Sequence, residues 1–234
     1  MDALSHELSG PDAADLAAAS LAIARRLADG SRLWWATSPP ATRVADAFVA
    51  GAASATEVRS LPLGDDFLDR LRAEVRSGDV LLLVSGSDRS SLAGLRQRAA
   101  AWGLLMVWVG DGPRPPAGAA DHVLWLDSGP DGSGCAEATL SVCELLGRLT
   151  LDRLGQREWL EPDRDECTEE ICITCSDEGR LGEVVALGED GLARVRTPAG
   201  LETVDTTLIG SPAPGDLLLI HAGAALSLVP GDGS

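Results

Sequence analysis

Along the first two thirds of the chain, the pattern of hydrophobic and polar residues predicts helices that alternate with strands. Across residues 12–27 the apolar positions recur at helical spacing, between Pro11 and Gly30, which favour helix boundaries. Short apolar runs then alternate with amphipathic stretches. The predicted strands are 32–36, 57–61, 80–84, 104–109 and 122–126, and further helices are predicted at 65–76, 90–102, 136–154 and from residue 41.

Strands that alternate with helices predict a parallel sheet covered by helices on both faces, so the expected fold class is α/β. The run 80–84 is apolar at every position, as expected for a central strand. A doubly wound domain is therefore predicted over residues 1–155.

The chain changes character after residue 155. Between residues 156 and 170 there are seven acidic side chains against two arginines, and such like charge disfavours packing, so an acidic linker is predicted. Short β-rich runs broken by Gly and Pro follow. They predict a small all-β, OB-like barrel over residues 171–234, with strands at 182–187, 192–196, 202–205, 217–221 and 225–228.

Charge excludes several classes of partner. The formal net charge is −17, and all 19 basic residues are arginines. Phosphate backbones and anionic lipids repel such a protein, so neither a nucleic acid nor a membrane is expected as a partner. No apolar run approaches the roughly 20 residues that span a bilayer, and residues 1–10 lack the pattern of a signal peptide. A cytoplasmic location is predicted.

Three of the five cysteines, Cys167, Cys172 and Cys175, fall within nine residues. An odd number of cysteines without an export signal indicates free thiols in a reducing compartment. The spacing of Cys172 and Cys175 lets both sulfur atoms reach one metal ion or each other. The three cysteines also match the first three ligands of a plant-type iron–sulfur site, but no fourth follows. A structural zinc site that includes His221, and thiols without function, remain alternatives.

Two segments after the cysteines resemble a known family. Gly-Glu-Val-Val-Ala-Leu at 182–187 and Pro-Gly-Asp-Leu-Leu-Leu-Ile-His-Ala-Gly-Ala-Ala-Leu at 214–226 are similar to the two signatures of the HypC/HupF hydrogenase-maturation chaperones. The resemblance implies a protein that helps to deliver an iron fragment with cyanide and carbon monoxide ligands. The implied partners are a HypD-type scaffold protein and the large-subunit precursor of a nickel–iron hydrogenase.

The same resemblance implies the metal ligands. Cys175, or its neighbour Cys172, would be the iron-binding thiol and His221 its companion, since a soft thiolate suits low-spin iron with strong-field ligands. Zinc is the alternative metal, and a histidine satisfied by backbone carbonyls is the alternative for His221. In compact family members the essential cysteine follows the initiator methionine, whereas here the cysteines are internal.

The first domain resembles the sugar isomerase (SIS) family, over residues 16–154. Gly-Asp-Val-Leu-Leu-Leu-Val-Ser-Gly-Ser-Asp-Arg-Ser at 78–90 is similar to the strand, Ser-rich loop and helix start with which that family holds a sugar phosphate. By this resemblance Ser85, Ser87 and Ser90 are candidate ligands of a sugar phosphate, with helix capping as their alternative role. Glu137 stands where heptose-phosphate isomerases carry a glutamate.

Three departures from the SIS pattern predict a domain without isomerase activity. Asp88 replaces a glycine of the loop, Ala-Thr-Ser-Pro-Pro at 36–40 replaces an earlier glycine-rich loop, and Thr139 stands where the catalytic histidine is expected. Without that histidine, aldose–ketose isomerisation lacks an acid–base partner. The expected role of the domain is docking or assembly into a homodimer or homotetramer. The alternative to a maturation chaperone is a sugar-phosphate isomerase or sugar-phosphate-binding protein with a barrel appendage.

Overall fold

The computed structural model shows a parallel α/β sheet and a small β-barrel. It describes residues 11–37, 56–85, 92, 94–116, 118–126, 135–156, 160 and 179–230. The chain divides into two compact units. The first unit comprises Met1–Leu71, Asp79–Ser91 and Leu105–Leu160, and the second comprises Arg72–Gly78, Leu92–Leu104 and Glu161–Ser234.

Five parallel strands form the sheet of the first unit. Its spatial order is β2-β1-β3-β4-β5, with β1 at Leu33–Thr37, β2 at Val58–Pro62, β3 at Val80–Val84, β4 at Leu105–Asp111 and β5 at His122–Leu126. Every residue of β1 and β3 is buried, because both faces of these strands are covered. The predicted α/β class and the central position of the run 80–84 are confirmed.

Two helices pack on one face of this sheet. In α1 (Ala13–Ala28) the Asp12 carboxylate accepts a hydrogen bond from the Ala14 N–H (3.0 Å), which caps the first turn. The other helix spans Cys135–Gly155. Their apolar residues share one core with alternate residues of the strands, among them Trp35 and Leu82. None of the helices in the described parts of the chain is long and apolar enough to cross a membrane.

A buried ion pair closes the amino-terminal edge of the sheet, where β1 and β3 begin. Asp79 accepts hydrogen bonds from Arg32 Nη2 (2.6 Å) and Trp34 Nε1 (2.8 Å). The backbone N–H of Arg32 donates to the same carboxylate (3.1 Å). These contacts satisfy a buried charge and fix the register of two neighbouring strands, so Asp79 has a structural role.

The second unit contains a closed five-stranded barrel in the order β10-β8-β7-β6-β9. Its inward-facing side chains form a separate apolar core that includes Val195, Val204 and Ile220. The strands are β6 at Arg180–Leu187, β7 at Leu192–Thr197, β8 at Gly200–Asp205, β9 at Leu217–His221 and β10 at Ala224–Val229. The predicted small barrel is confirmed, and its assignment to the OB type remains a prediction.

Residues from two helices complete the second unit. The helix α2 (Phe67–Glu74) ends in this unit, and α3 (Leu95–Ala101) lies wholly within it; the helix at Cys135–Gly155 is α4. The second unit therefore includes residues that precede the predicted linker in sequence. Of residues 156–170 the structure describes only 156 and 160. The predicted boundaries at 1–155, 156–170 and 171–234 thus remain predictions.

Glu183 of β6 connects the barrel to these helical residues. The residue is only 1% exposed. Its carboxylate accepts hydrogen bonds from Arg72 Nε (3.1 Å to each oxygen), Arg98 Nη1 (2.7 Å) and Trp102 Nε1 (2.8 Å). Because a buried carboxylate needs several donors, the second unit requires both the barrel strand and the helical segments.

Candidate functional site

The carboxyl ends of the parallel strands meet at one edge of the sheet, and polar side chains lie there. Thr37 ends β1 and pairs in register with Val84 of β3, and Ser85 follows directly. Both Thr37 and Ser85 are buried. Ligands of open α/β sheets bind at this edge, so these residues are placed where a binding site is expected.

The hydroxyl of Ser85 is buried and has no partner in the described part of the chain. The residue is 6% exposed, and its Oγ has no hydrogen-bond partner among the described residues. The backbone groups of Ser85 are both engaged: its N–H donates to the Val109 carbonyl (3.2 Å), and its carbonyl accepts from Trp108 Nε1 (3.0 Å). An unpaired buried hydroxyl costs about 1–3 kcal/mol, and buried polar groups are normally paired. The free hydroxyl therefore indicates a group that an external ligand can satisfy.

The neighbours of Ser85 hold it rigidly. A β-carbon on Gly110 would lie 2.2 Å from the Ser85 carbonyl oxygen and 2.7 Å from the Trp125 ring, so only glycine fits. The Trp108 and Trp125 rings meet edge to face with their centroids 5.8 Å apart. Trp125 Nε1 in turn donates to the Gly112 carbonyl (2.8 Å). The position of the serine is thus set before any ligand arrives, which lowers the cost of binding.

Glu137 and Thr139 lie near the start of α4 and point in different directions. Glu137 is in the first turn and exposed, whereas Thr139 is 7% exposed. Residues two apart on a helix do not face each other. A threonine hydroxyl also does not ionise near neutral pH, so Thr139 cannot act as the base that moves a proton between carbons.

Four of the predicted site residues, Ser87, Ser90, Cys172 and Cys175, lie outside the described residues. His221 ends β9, and β9 pairs antiparallel with β6, so that Ile220 stands opposite Arg180 at the start of β6. The start of β6 therefore lies beside the end of β9, where His221 stands. Within the described ranges no three His, Cys, Asp or Glu side chains are grouped to hold a metal ion. The thiolate metal site, with iron or zinc, remains a prediction.

Cys143 is unsuited to ligand chemistry. It lies on the buried face of α4, and desolvation raises the pKa of its thiol to about 12. The thiol therefore stays protonated at neutral pH, and a protonated thiol is neither a nucleophile nor a metal ligand.

Two features were missed by sequence reasoning. Glu183 was read only as part of a signature, although a single glutamate within an otherwise apolar predicted strand can itself indicate a buried ion pair. A polar pocket beside His122 was also missed, because it combines the start of α1 with a loop about a hundred residues later. No periodic pattern marks such a combination.

Barrel geometry explains the residues that carried the HypC/HupF resemblance. A β-carbon on Gly182 would lie 2.5 Å from the side chains of both Ile220 and Val195. Gly215 has a positive φ of 93°, and the Asp216 carboxylate accepts a hydrogen bond from the Ala213 N–H (2.7 Å). A tight turn and a close strand contact require these residues whatever the barrel binds. The two signatures are therefore weak evidence for a particular function.

Comparison with known proteins favours the other resemblance. The sequence matches no family model and no curated protein. Among solved structures it matches a phosphoheptose isomerase from Francisella tularensis with a TM-score of 0.51 and 14% identity, over 60% of this chain and 86% of that one. The sugar isomerase domain of an RpiR transcription factor from Sphaerobacter thermophilus gives 0.49 and 24%, over 64% and 83%. The Vibrio vulnificus NanR protein complexed with ManNAc-6P gives 0.46 and 15%, over 63% and 55%.

The matches correct the predicted function. The hydrogenase-maturation assignment has to be corrected, because the α/β part shares its fold with a phosphoheptose isomerase and no comparison supports a maturation chaperone. The HypC/HupF module has no support, and neither have the iron cargo and the partners that it implied. The likeness to the phosphoheptose isomerase, at low sequence identity, concerns the fold. The α/β part of this chain has the fold of phosphosugar isomerase (SIS) domains.

Proposed function

We propose that the α/β sheet binds a phosphorylated sugar at its carboxyl edge and does not isomerise it. The observation that carries the proposal is the buried Ser85 hydroxyl at the end of the central strand, which has no hydrogen-bond partner among the described ranges. A phosphate oxygen is a strong acceptor, and a hydrogen bond to a charged group contributes about 1.5–3 kcal/mol. Ser87, Ser90 and Glu137 are proposed as further contacts of the sugar phosphate.

The class of ligand is supported by fold and chemistry together. Fold alone does not give function, but a phosphoheptose isomerase is among the structures that share this fold. A sugar phosphate offers acceptors for a serine hydroxyl and hydroxyl donors for a carboxylate such as Glu137. The net charge of −17 disfavours the binding of ligands with several phosphates. A sugar with one phosphate carries less negative charge and is repelled less.

Binding without turnover follows from the residues at α4. Aldose–ketose isomerisation needs a base that removes a proton from one carbon and an acid that returns it to the next. Thr139 is buried and does not titrate in the neutral range. Glu137 alone would have to supply both functions, so we propose a binding or sensing domain.

Isothermal titration calorimetry on the full chain tests the proposal. The probes are sedoheptulose 7-phosphate, fructose 6-phosphate and N-acetylmannosamine 6-phosphate, each compared with its unphosphorylated sugar. We expect saturable binding of at least one phosphorylated sugar, and a loss of about tenfold or more in affinity for Ser85→Ala, since tenfold corresponds to about 1.4 kcal/mol.

Ser20→Ala is the matched control, because Ser20 is also buried but donates to the Ala17 carbonyl (2.9 Å) on α1. The affinity of the Ser20→Ala variant for the sugar phosphate should equal that of the wild type. Equal binding of phosphorylated and unphosphorylated sugars, or wild-type affinity in Ser85→Ala, would reject the site. Isomerase turnover that disappears in Glu137→Gln would reject the non-catalytic part.

A further inference from the structure

A pocket lies in the first unit, where the segment between β4 and β5 meets the start of α1. The pocket has a volume of about 460 Å³. None of the residues that frame Ser85 lines it. Small-molecule sites commonly have volumes of about 300–1,000 Å³, so the pocket is large enough for a compact metabolite.

Charged side chains of opposite sign line this pocket. Arg114 and Asp15 are exposed there, and neither makes an ion pair or side-chain hydrogen bond with any described residue. Asp121 is partly committed, because its Oδ2 accepts a hydrogen bond from the Met106 N–H (2.7 Å). One guanidinium and one carboxylate are thus available to a ligand.

His122 adds a neutral polar group to the same pocket. Its imidazole is partly buried and has no hydrogen-bond partner within the described ranges. Burial lowers the pKa of His122, although the nearby Asp121 and Asp15 carboxylates oppose this effect. The ring is therefore uncharged at neutral pH and offers one N–H donor and one acceptor nitrogen.

We propose that this pocket binds a small zwitterion of the α-amino acid class, with the ligand carboxylate on Arg114 and the ligand ammonium on Asp15. A simple anion would leave Asp15 unpaired, and a simple cation would leave Arg114 unpaired. A zwitterion satisfies both, and it does so without adding net charge to a protein that carries −17. Pro115 and Pro116 supply apolar surface for the ligand side chain.

The test is calorimetric titration of the full chain with each of the common α-amino acids. We expect one or more to bind saturably with one site per chain. The N-acetyl and the carboxamide derivatives of the best ligand each lack one charge, so both should bind about tenfold more weakly or worse. The substitutions Arg114→Gln and Asp15→Asn should each lower the affinity for the unmodified amino acid to a similar extent.

Arg25→Gln is the matched control, because Arg25 is an exposed arginine of the same unit that does not line the pocket. It should keep wild-type affinity, as should Ser85→Ala, which separates this site from the proposed sugar-phosphate site. Circular dichroism and melting temperatures check that the exposed substitutions leave the fold intact. No saturable binding of any amino acid, or equal weakening in Arg25→Gln, would overturn the proposal.

Discussion

Among the residues that the structure describes, the buried hydroxyl of Ser85 has no partner, and that arrangement costs stability. Replacing the hydroxyl by hydrogen removes the unsatisfied group and leaves only a small void. We therefore expect Ser85→Ala to be as stable as the wild type or about 1 kcal/mol more stable in urea unfolding. Gain of stability together with loss of ligand affinity is typical of a residue retained for binding.

Ser20→Ala supplies the comparison at a buried serine with partners. Its hydroxyl donates to the Ala17 carbonyl (2.9 Å) and accepts from Arg153 Nε (3.0 Å). Loss of both bonds should cost about 1–2 kcal/mol. If Ser85→Ala were destabilised as much as Ser20→Ala, the Ser85 hydroxyl would have a protein partner after all.

Sequence reasoning at the residue scale suggested Ser85 as a ligand-binding residue through a resemblance, but it could not show that the hydroxyl is buried with no partner among the described residues. Trp108 and Gly110 of another strand form part of that environment, and their printed contacts are with the serine carbonyl rather than with its hydroxyl. In the same way, Gly182 and Asp216 suggested a chaperone, whereas their environment shows a close contact and a turn. A short motif can reflect a requirement of the backbone geometry, and proteins with different functions can share that requirement.

The first and last residues of strands were predictable where the strand is a largely apolar run. The runs 80–84, 122–126 and 217–221 are strands in the structure with the same bounds. The helix predicted over 90–102 is described only as Leu95–Ala101, with Gly94 before it at a φ of 70°. The spacing of apolar residues locates the interior of a helix or strand, whereas the residues at which it begins and ends depend on local backbone geometry.

The ion-pair network at Glu183 holds β6 to the helical part of the second unit. Glu183→Gln removes the charge that Arg72 and Arg98 share, and it leaves an amide that cannot accept all of their bonds. The arginine side chains are 38% and 29% exposed, so water can partly replace the lost partner. We expect a loss of about 1–3 kcal/mol in urea unfolding, below the cost of breaking a fully buried pair.

Glu202→Gln is the matched control for this substitution. Glu202 pairs with Arg180 on the same barrel, but its side chain is 26% exposed and that of the arginine 44%. Exposed pairs contribute about 0–1 kcal/mol, so the control should lose less. Equal losses in the two variants would show that the Glu183 network has no special role in the second unit.

At the scale of the whole molecule, the sequence predicted the α/β class and the barrel, while the boundaries at 1–155, 156–170 and 171–234 stay a prediction. The acidic run at 156–170 suggests a single boundary between the two parts of the chain. The second compact unit, however, also contains residues 72–78 and 92–104. Long-range contacts join these residues to the barrel, and the hydrogen bonds to the Glu183 carboxylate are among them. Composition along the chain cannot reveal contacts between positions more than eighty residues apart.

The central claim is that a phosphorylated sugar binds beside Ser85, and indole N–H resonances can test it directly. The chain has six tryptophans. The indole of Trp108 donates to the Ser85 carbonyl, whereas that of Trp34 donates to Asp79 at the opposite edge of the same sheet. In ¹⁵N–¹H spectra, assigned with Trp108→Phe and Trp34→Phe, the Trp108 signal should shift and saturate with added sugar phosphate while Trp34 stays fixed. Saturable binding with an unmoved Trp108 signal, or with equal shifts of both signals, would contradict the account.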